Sequence, residues 1–197
     1  MKFIIATNNK KKLRELSVIL SELGVEAVSL AEAGVESDAE ETGTTFEENS
    51  RIKALAAMKE SGLPAIADDS GLEVDALGGE PGVYSARYGG DLCRDDVERY
   101  EYLLKNMENV PDGERSARFV SVITCTFPDG RVLSARGEIE GEILRAPRGE
   151  GGFGYDPVFF VKSENMTTAE MSAERKNEIS HRALSLRLMA KKLKEVL

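Results

Sequence analysis

Short apolar runs and helix-spaced apolar positions alternate along the first half of the chain. KFIIA (2–6) reads as a buried strand. After the polar TNNKKK, Leu13, Leu16, Leu20 and Leu23 recur at helical spacing, and Gly24 ends the run. VEAVSL (25–30) is expected as the next strand, and the acidic, glycine-containing stretch from Ala31 to Thr45 as a loop. FEENSRIKALAAMKES (46–61) predicts a second helix stopped by Gly62, and PAIAD (64–68) a third strand. That strand leaves its core at two adjacent carboxylates, Asp68 and Asp69, a placement that is costly unless something compensates the charge.

Further on, LGGEPGVYSARYGG (77–90) carries five glycines and a proline and reads as a loop long enough to suspect function. DDVERYEYLLKNME (95–108) predicts a helix capped by Asp95 or a neighbour. ARFVSVITCTF (117–127) and RVLSARGEIEGEI (131–143) flank the turn PDG as a hairpin. RGEGGFGYDPVFF (148–160) is glycine-rich and then strand-like. The last helix is expected from Ser180 to Val196, with Ala183, Leu186, Ala190 and Leu193 on its apolar face. Strand–helix alternation followed by a hairpin indicates an α/β fold with a mixed sheet and flanking helices. No linker or repeat divides the chain, which reads as a single domain over 1–197.

Composition narrows the function classes. The chain of 197 residues is 41% hydrophobic and 31% charged, as expected of a soluble globular protein. A net charge of −9 argues against gripping nucleic acid or an anionic membrane, which needs many Lys and Arg on one face. A small anionic ligand in one locally basic site is compatible with it. Cys93 and Cys125 form no CxxC and no metal pattern, so two buried thiols in a reducing cytosol are expected. MKFIIATNN is too short in apolar residues for a secretion signal, and no run approaches membrane-spanning length. A cytoplasmic protein is the expectation.

Cations stand where the helix dipole disfavours them, by a few tenths to about 1 kcal/mol each. The first helix opens with Lys10, Lys11 and Lys12, and the last, if Ser180 caps it, with His181 and Arg182. Lys176 lies just upstream. Any one of these is readily explained as a solvated side chain. Thr7, Asn8 and Lys12 straight after a strand point instead to a phosphate held at a helix N-terminus. GxxxxGK[ST] is missing, and no GxGxxG follows a first strand.

Polyphosphates are commonly handled with Mg²⁺, which takes one or two carboxylates plus water and phosphate oxygens. Candidates are ESDAEETG (36–43) with EENS (47–50), and Asp68–Asp69. Glu47 and Glu48 are equally explained as first-turn acids, and Glu41 as part of a solvated acidic loop. Neighbours in an extended strand point to opposite faces, so Asp68 and Asp69 should do different jobs. Spacing excludes other chemistries: ADDSGL is not a phosphatase Asp-x-Asp, Ser70 is not in GxSxG, and one His with two distant Cys does not make a zinc site. In GGFGYDPVFF, Phe153, Tyr155 and Asp156 among glycines suit a flat heterocycle, and equally suit a core.

TNNKKKLREL, ETGTTFEENSRIKA, PAIADDSGLEVDALGGEPGVYSARYGG, GGFGYDPVFF and MSAERKNEISHRALSL together resemble the inosine triphosphatase family, the XTP/dITP diphosphatases. The resemblance runs in order from residue 7 to about 187. It implies two lobes around a central nucleotide cleft, a long mixed sheet and a homodimer. It also implies Mg²⁺-dependent hydrolysis of a non-standard purine nucleoside triphosphate, such as ITP, dITP or XTP, to monophosphate and pyrophosphate. Matched by position, Thr7, Asn8, Asn9, Lys10, Lys11 and Lys12 would cradle phosphates, and Lys53 would reach them. Glu41 and Asp69 would hold the metal, with Asp69 also the general base. Ser70 would contact substrate. Phe153, Gly154, Tyr155 and Asp156 would form the base pocket, with Lys176, His181 and Arg182 completing the nucleotide contacts. TNNKKK departs from the family's commoner TGN or TNPxK forms, so the individual contacts of Asn9, Lys10 and Lys11 within that cradle do not follow from the resemblance.

Overall fold

A computed structural model describes residues 1–36 and 39–197. Ser37 and Asp38, within the acidic stretch considered for metal ligation, lie outside the described residues. Seven strands form one sheet: β1 (Lys2–Ile5), β2 (Glu26–Ser29), β3 (Ala65–Val74), β4 (Ser116–Thr126), β5 (Val132–Ile143), β6 (Phe159–Val161) and β7 (Met166–Thr167). Their order is β2-β1-β3-β4-β5-β6-β7. β1 pairs in parallel with β2 and β3, while β6 pairs antiparallel with β5 and β7, so the sheet is mixed as expected. The helices are α1 (Lys10–Glu22), α2 (Leu30–Ala33), α3 (Phe46–Ser61), α4 (Asp96–Asn106), α5 (Ala173–Ile179) and α6 (His181–Lys194). Among the described residues no helix is long and apolar enough to cross a membrane.

The chain divides into two compact units, and strands β3, β4 and β5 contribute residues to both. The first comprises 1–69, 121–137 and 182–197. Its core joins Phe3 and Ile5 of β1, Leu16 and Leu20 of α1, Ile66 of β3 and Ile123 of β4 to Leu186, Met189 and Leu193 of α6. A second cluster joins Ile4 and Ala65 to Ala54 and Ala57 of α3. Helix starts follow the residues: Asn9 caps α1, and Thr45 caps α3 through a box closed by Glu48. Glu48 is thus a capping residue, its carboxyl held below the usual range by the Thr44 amide and hydroxyl. Gly62 ends α3 at φ +68°, a backbone that glycine adopts without strain.

The second unit comprises 70–120 and 138–181. Its core gathers Leu72 and Val74 of β3, Leu103 of α4, Phe119 of β4 and Phe159 of β6, with Tyr155. Buried Arg115 donates to the carbonyls of Ile143, Met107, Val110 and Leu144 and ties this core to its loops.

Several expectations change. β3 does not stop at Asp68 but runs on to Val74, so both aspartates sit inside a strand. The stretch after β2 begins with a four-residue helix, α2, closed by a Ser29–Glu32 capping box. The loop 77–90 includes a six-residue 3₁₀ segment, Gly82–Arg87. A separate short helix, α5, capped by Ser172 and ended by Ser180, precedes the last one, which starts at His181 directly after Ser180 as expected. Met189, rather than Ala190, joins Leu186 and Leu193 in the core.

Candidate active site

In the first unit, two cation–carboxylate groups form on the two faces of β3. Asp68 is buried, its side chain 2% exposed, and Lys12 Nζ of α1 lies 2.9 Å from its Oδ2. Arg182 Nε, in the first turn of α6, is 3.9 Å from the same oxygen, and its Nη1 is 3.4 Å from Glu15 Oε2. Burial alone would raise the Asp68 carboxyl; Lys12 and Arg182 outweigh it and hold the group below the usual carboxylate range. Two of the cations that stood against the helix dipole therefore have a buried partner, a sufficient structural reason for their placement.

Asp69 meets different partners. Lys53 Nζ of α3 lies 3.4 Å from Asp69 Oδ1 and 2.7 Å from Glu41 Oε1, so one ammonium draws two carboxylates together. Burial raises the Asp69 carboxyl, and Glu41 pushes in the same direction against the opposing pull of Lys53. Lys53 itself is raised: burial opposes its charge, but Asp69 and Glu41 outweigh burial. The segment carrying Glu41 is fixed by α3. Asn49 Oδ1 accepts from the Gly43 N–H at 2.8 Å, and Glu48 Oε2 from the Thr44 N–H at 2.7 Å. A Cβ at Gly43 would fall 2.6 Å from Glu48 Cβ, so only glycine permits this close approach.

Oδ2 of Asp69 is buried and accepts no hydrogen bond among the described residues. A free buried carboxylate oxygen beside a second carboxylate suits a small hard cation, which needs one or two such ligands and completes its shell with water and phosphate. Glu41 and Asp69 thus have the donor chemistry for Mg²⁺. At the turn before α1, Asn9 accepts the Lys11 and Lys12 amides at 2.9 and 3.2 Å, and Thr7 Oγ1 accepts the Asn9 amide at 3.2 Å. Asn8, Lys10 and Lys11 are exposed.

The other sequence-derived residues lie in the second unit. Ser70 is half-buried in β3. Phe153 is 53% exposed, and Lys176 Nζ lies 5.0 Å from its ring centroid. The Gly154 amide donates to Asp96 Oδ2 at 2.8 Å. Tyr155 is a core residue whose hydroxyl donates to the Ser85 carbonyl at 2.8 Å. Asp156 is buried: its Oδ2 accepts from the Phe153 amide at 2.8 Å and from Lys176, and its Oδ1 from the Thr168 hydroxyl at 2.8 Å. His181 stacks on Phe119, 5.1 Å between centroids. Of the residues read as a base pocket, only Phe153 presents a largely exposed side chain. Lys176 falls in the last turn of α5, where the dipole favours a cation, so its charge is no anomaly.

The sequence reading missed Glu15, Asn49, Asp96 and Thr168. Glu15, three residues after Lys12 on α1, could have been found as a carboxylate on the same helix face; the other three offer no local signal.

The model of the Ham1 family matches residues 3–192. A dITP/XTP pyrophosphatase of Thermus thermophilus is 51% identical over 195 residues, 99% of this chain and 93% of the relative. One of Escherichia coli K12 is 50% identical over 190 residues, 95% of each chain. The solved Ham1 protein of Staphylococcus aureus superposes over the full length of both chains with a TM-score of 0.93 at 41% identity. With the family's model spanning nearly all of the chain and these relatives matched end to end, this chain belongs to the Ham1 family.

Proposed function

We propose that this chain hydrolyses non-standard purine nucleoside triphosphates, ITP, dITP and XTP, to the monophosphate and pyrophosphate, clearing them from the nucleotide pool. The observation that carries the proposal is the pair Glu41 and Asp69, drawn together on Lys53 with one buried Asp69 oxygen uncommitted. Relatives of about half-identical sequence bear the name dITP/XTP pyrophosphatase, which supports the same reading.

Under this proposal Glu41 and Asp69 hold Mg²⁺, which supplies charge neutralisation on the phosphate oxygens. Lys53 and Lys12 stabilise the negative charge that grows on the leaving pyrophosphate, aided by Arg182. Water attacks the α-phosphorus, the bond to the bridging oxygen breaks, and Asp69 takes the water's proton. In the second unit, the Phe153 ring and the Lys176 ammonium are assigned to the purine. A donor aimed at a 6-keto oxygen loses its partner on adenine, a penalty of about 1–3 kcal/mol per unpaired buried group.

The proposal includes a homodimer, supported by exposed Tyr84, Leu92 and Val97 in the second unit, and a cytoplasmic location, supported by two free cysteines. The chain as a whole acts as one catalytic domain.

The test is incubation with Mg²⁺ and ITP, dITP, XTP, GTP, ATP or UTP, with pyrophosphate and orthophosphate measured separately. Pyrophosphate from the first three, and little from ATP, is expected. Orthophosphate as the first product would assign a γ-phosphatase, preference for a pyrimidine a different house-cleaning enzyme, and binding without turnover a nucleotide sensor.

A further inference from the structure

We propose that Asp156 and Thr168 are positioning residues that fix the Lys176 ammonium, and that Asp156 does not itself contact the base. The inference rests on the reading above, in which Lys176 meets the nucleotide, and replaces the sequence expectation that Asp156 lines the base pocket. Asp156 is 3% exposed, and both its oxygens are engaged within the protein. Oδ2 takes the Phe153 amide and the Lys176 ammonium, and Oδ1 takes the Thr168 hydroxyl. A carboxylate with three donors already on it has little capacity left for a ligand edge.

The surroundings hold that arrangement. A Cβ on Gly152, at φ +80°, would fall 2.0 Å from Asp156 Oδ2, so the chain passes the carboxylate at a distance only glycine allows. Thr168 is itself anchored, its amide donating to the Phe159 carbonyl at 3.1 Å. Lys176 reaches Asp156 from α5, and the ammonium ends 5.0 Å from the Phe153 ring centroid. A lysine has a flexible four-carbon stem, and restricting it on binding costs entropy. The Thr168–Asp156 pair fixes the stem before the ligand arrives. The benefit falls on binding rather than on bond cleavage.

Thr168→Val removes the hydroxyl at nearly constant volume, and Thr168→Ser keeps it. With dITP, T168V is expected to raise KM about tenfold with kcat within about twofold, and T168S to return KM to within about threefold of wild type. In a K176M background, T168V should add less than about twofold, because its effect passes through Lys176. The same ratios are expected in ITP dissociation constants from titration calorimetry, which keeps the test independent of turnover. An unchanged KM and dissociation constant in T168V, or an equal further loss in the K176M background, overturns the inference. So does a T168V that fails to fold together with a T168A that also fails while T168S folds, which would assign the hydroxyl to the core alone. Wild-type protein that binds ITP but releases no pyrophosphate from dITP would overturn the proposed reaction and leave this inference to the calorimetric arm.

Discussion

Lys12 Nζ lies 2.9 Å from Oδ2 of Asp68, so the first helix and the third strand share one buried ion pair. The two ends are not equivalent. The Asp68 side chain is 2% exposed and cannot reach water, whereas Lys12, at 18%, can extend its stem outward. K12M leaves that buried charge to the more distant Arg182 and should therefore cost about 3 kcal/mol or more of stability, toward the low end of the range for breaking a buried ion pair. D68N should cost about 1–3 kcal/mol, the range for a lost charged hydrogen bond. Urea unfolding of both variants reads the difference, and equal costs would contradict it.

The Asp69 carboxyl is shifted in the opposite direction from its neighbour's. Its carboxyl is raised from 3.8, so ionising it costs the fold stability as pH climbs through the raised value. D69N escapes that cost. At pH 7 it should melt higher than wild type, while losing turnover. The gain should shrink as pH falls toward 3.8. Calorimetric melts of wild type and D69N at several pH values check this. Asp68, held below its usual range, contributes stability above 3.8 that disappears on acidification.

These two residues also show what the sequence revealed and what it hid. Leucine spacing located α1, and the stretch 46–61 stopped by Gly62 located α3, because these are local signals. The end of β3 was misplaced because two adjacent aspartates look like a strand's exit. The lysines that permit them come from residues 12 and 53, beyond the reach of any local window. Opposite jobs for Asp68 and Asp69 did follow from strand geometry alone. Ser180 did mark the start of the last helix at His181, but the short helix α5 before it, capped by Ser172, left no such signal. The partners of Asp156 were illegible for the same reason as the lysines: Thr168 and Lys176 lie 12 and 20 positions along the chain.

Gly152 and Gly154 both sit at positive φ, but only at Gly152 would an added Cβ meet a carboxylate. G154A should cost about 1 kcal/mol, from backbone strain alone. G152A adds a 2.0 Å clash with Asp156 Oδ2, so it should cost more and should also weaken nucleotide binding by displacing Lys176. Thermal melts combined with ITP titrations of the two variants separate strain from displacement.

Cys125 is fully buried, and burial pushes its thiol up to about 12. At pH 8 it is protonated and shielded, so iodoacetamide should leave it unmodified in the folded protein and label it fully in denaturant. Intact-mass spectrometry of both samples checks this. The same shift makes this residue's contribution to stability present below about 9 and lost as pH rises from there toward about 12.

The measurement that bears most directly on the proposed reaction is turnover of dITP with Mg²⁺ in ¹⁸O-labelled water, followed by mass analysis of both products. Water placed by Asp69 on the α-phosphorus predicts one labelled oxygen in the monophosphate and none in the pyrophosphate. Label in the pyrophosphate, or release of labelled orthophosphate, would contradict it.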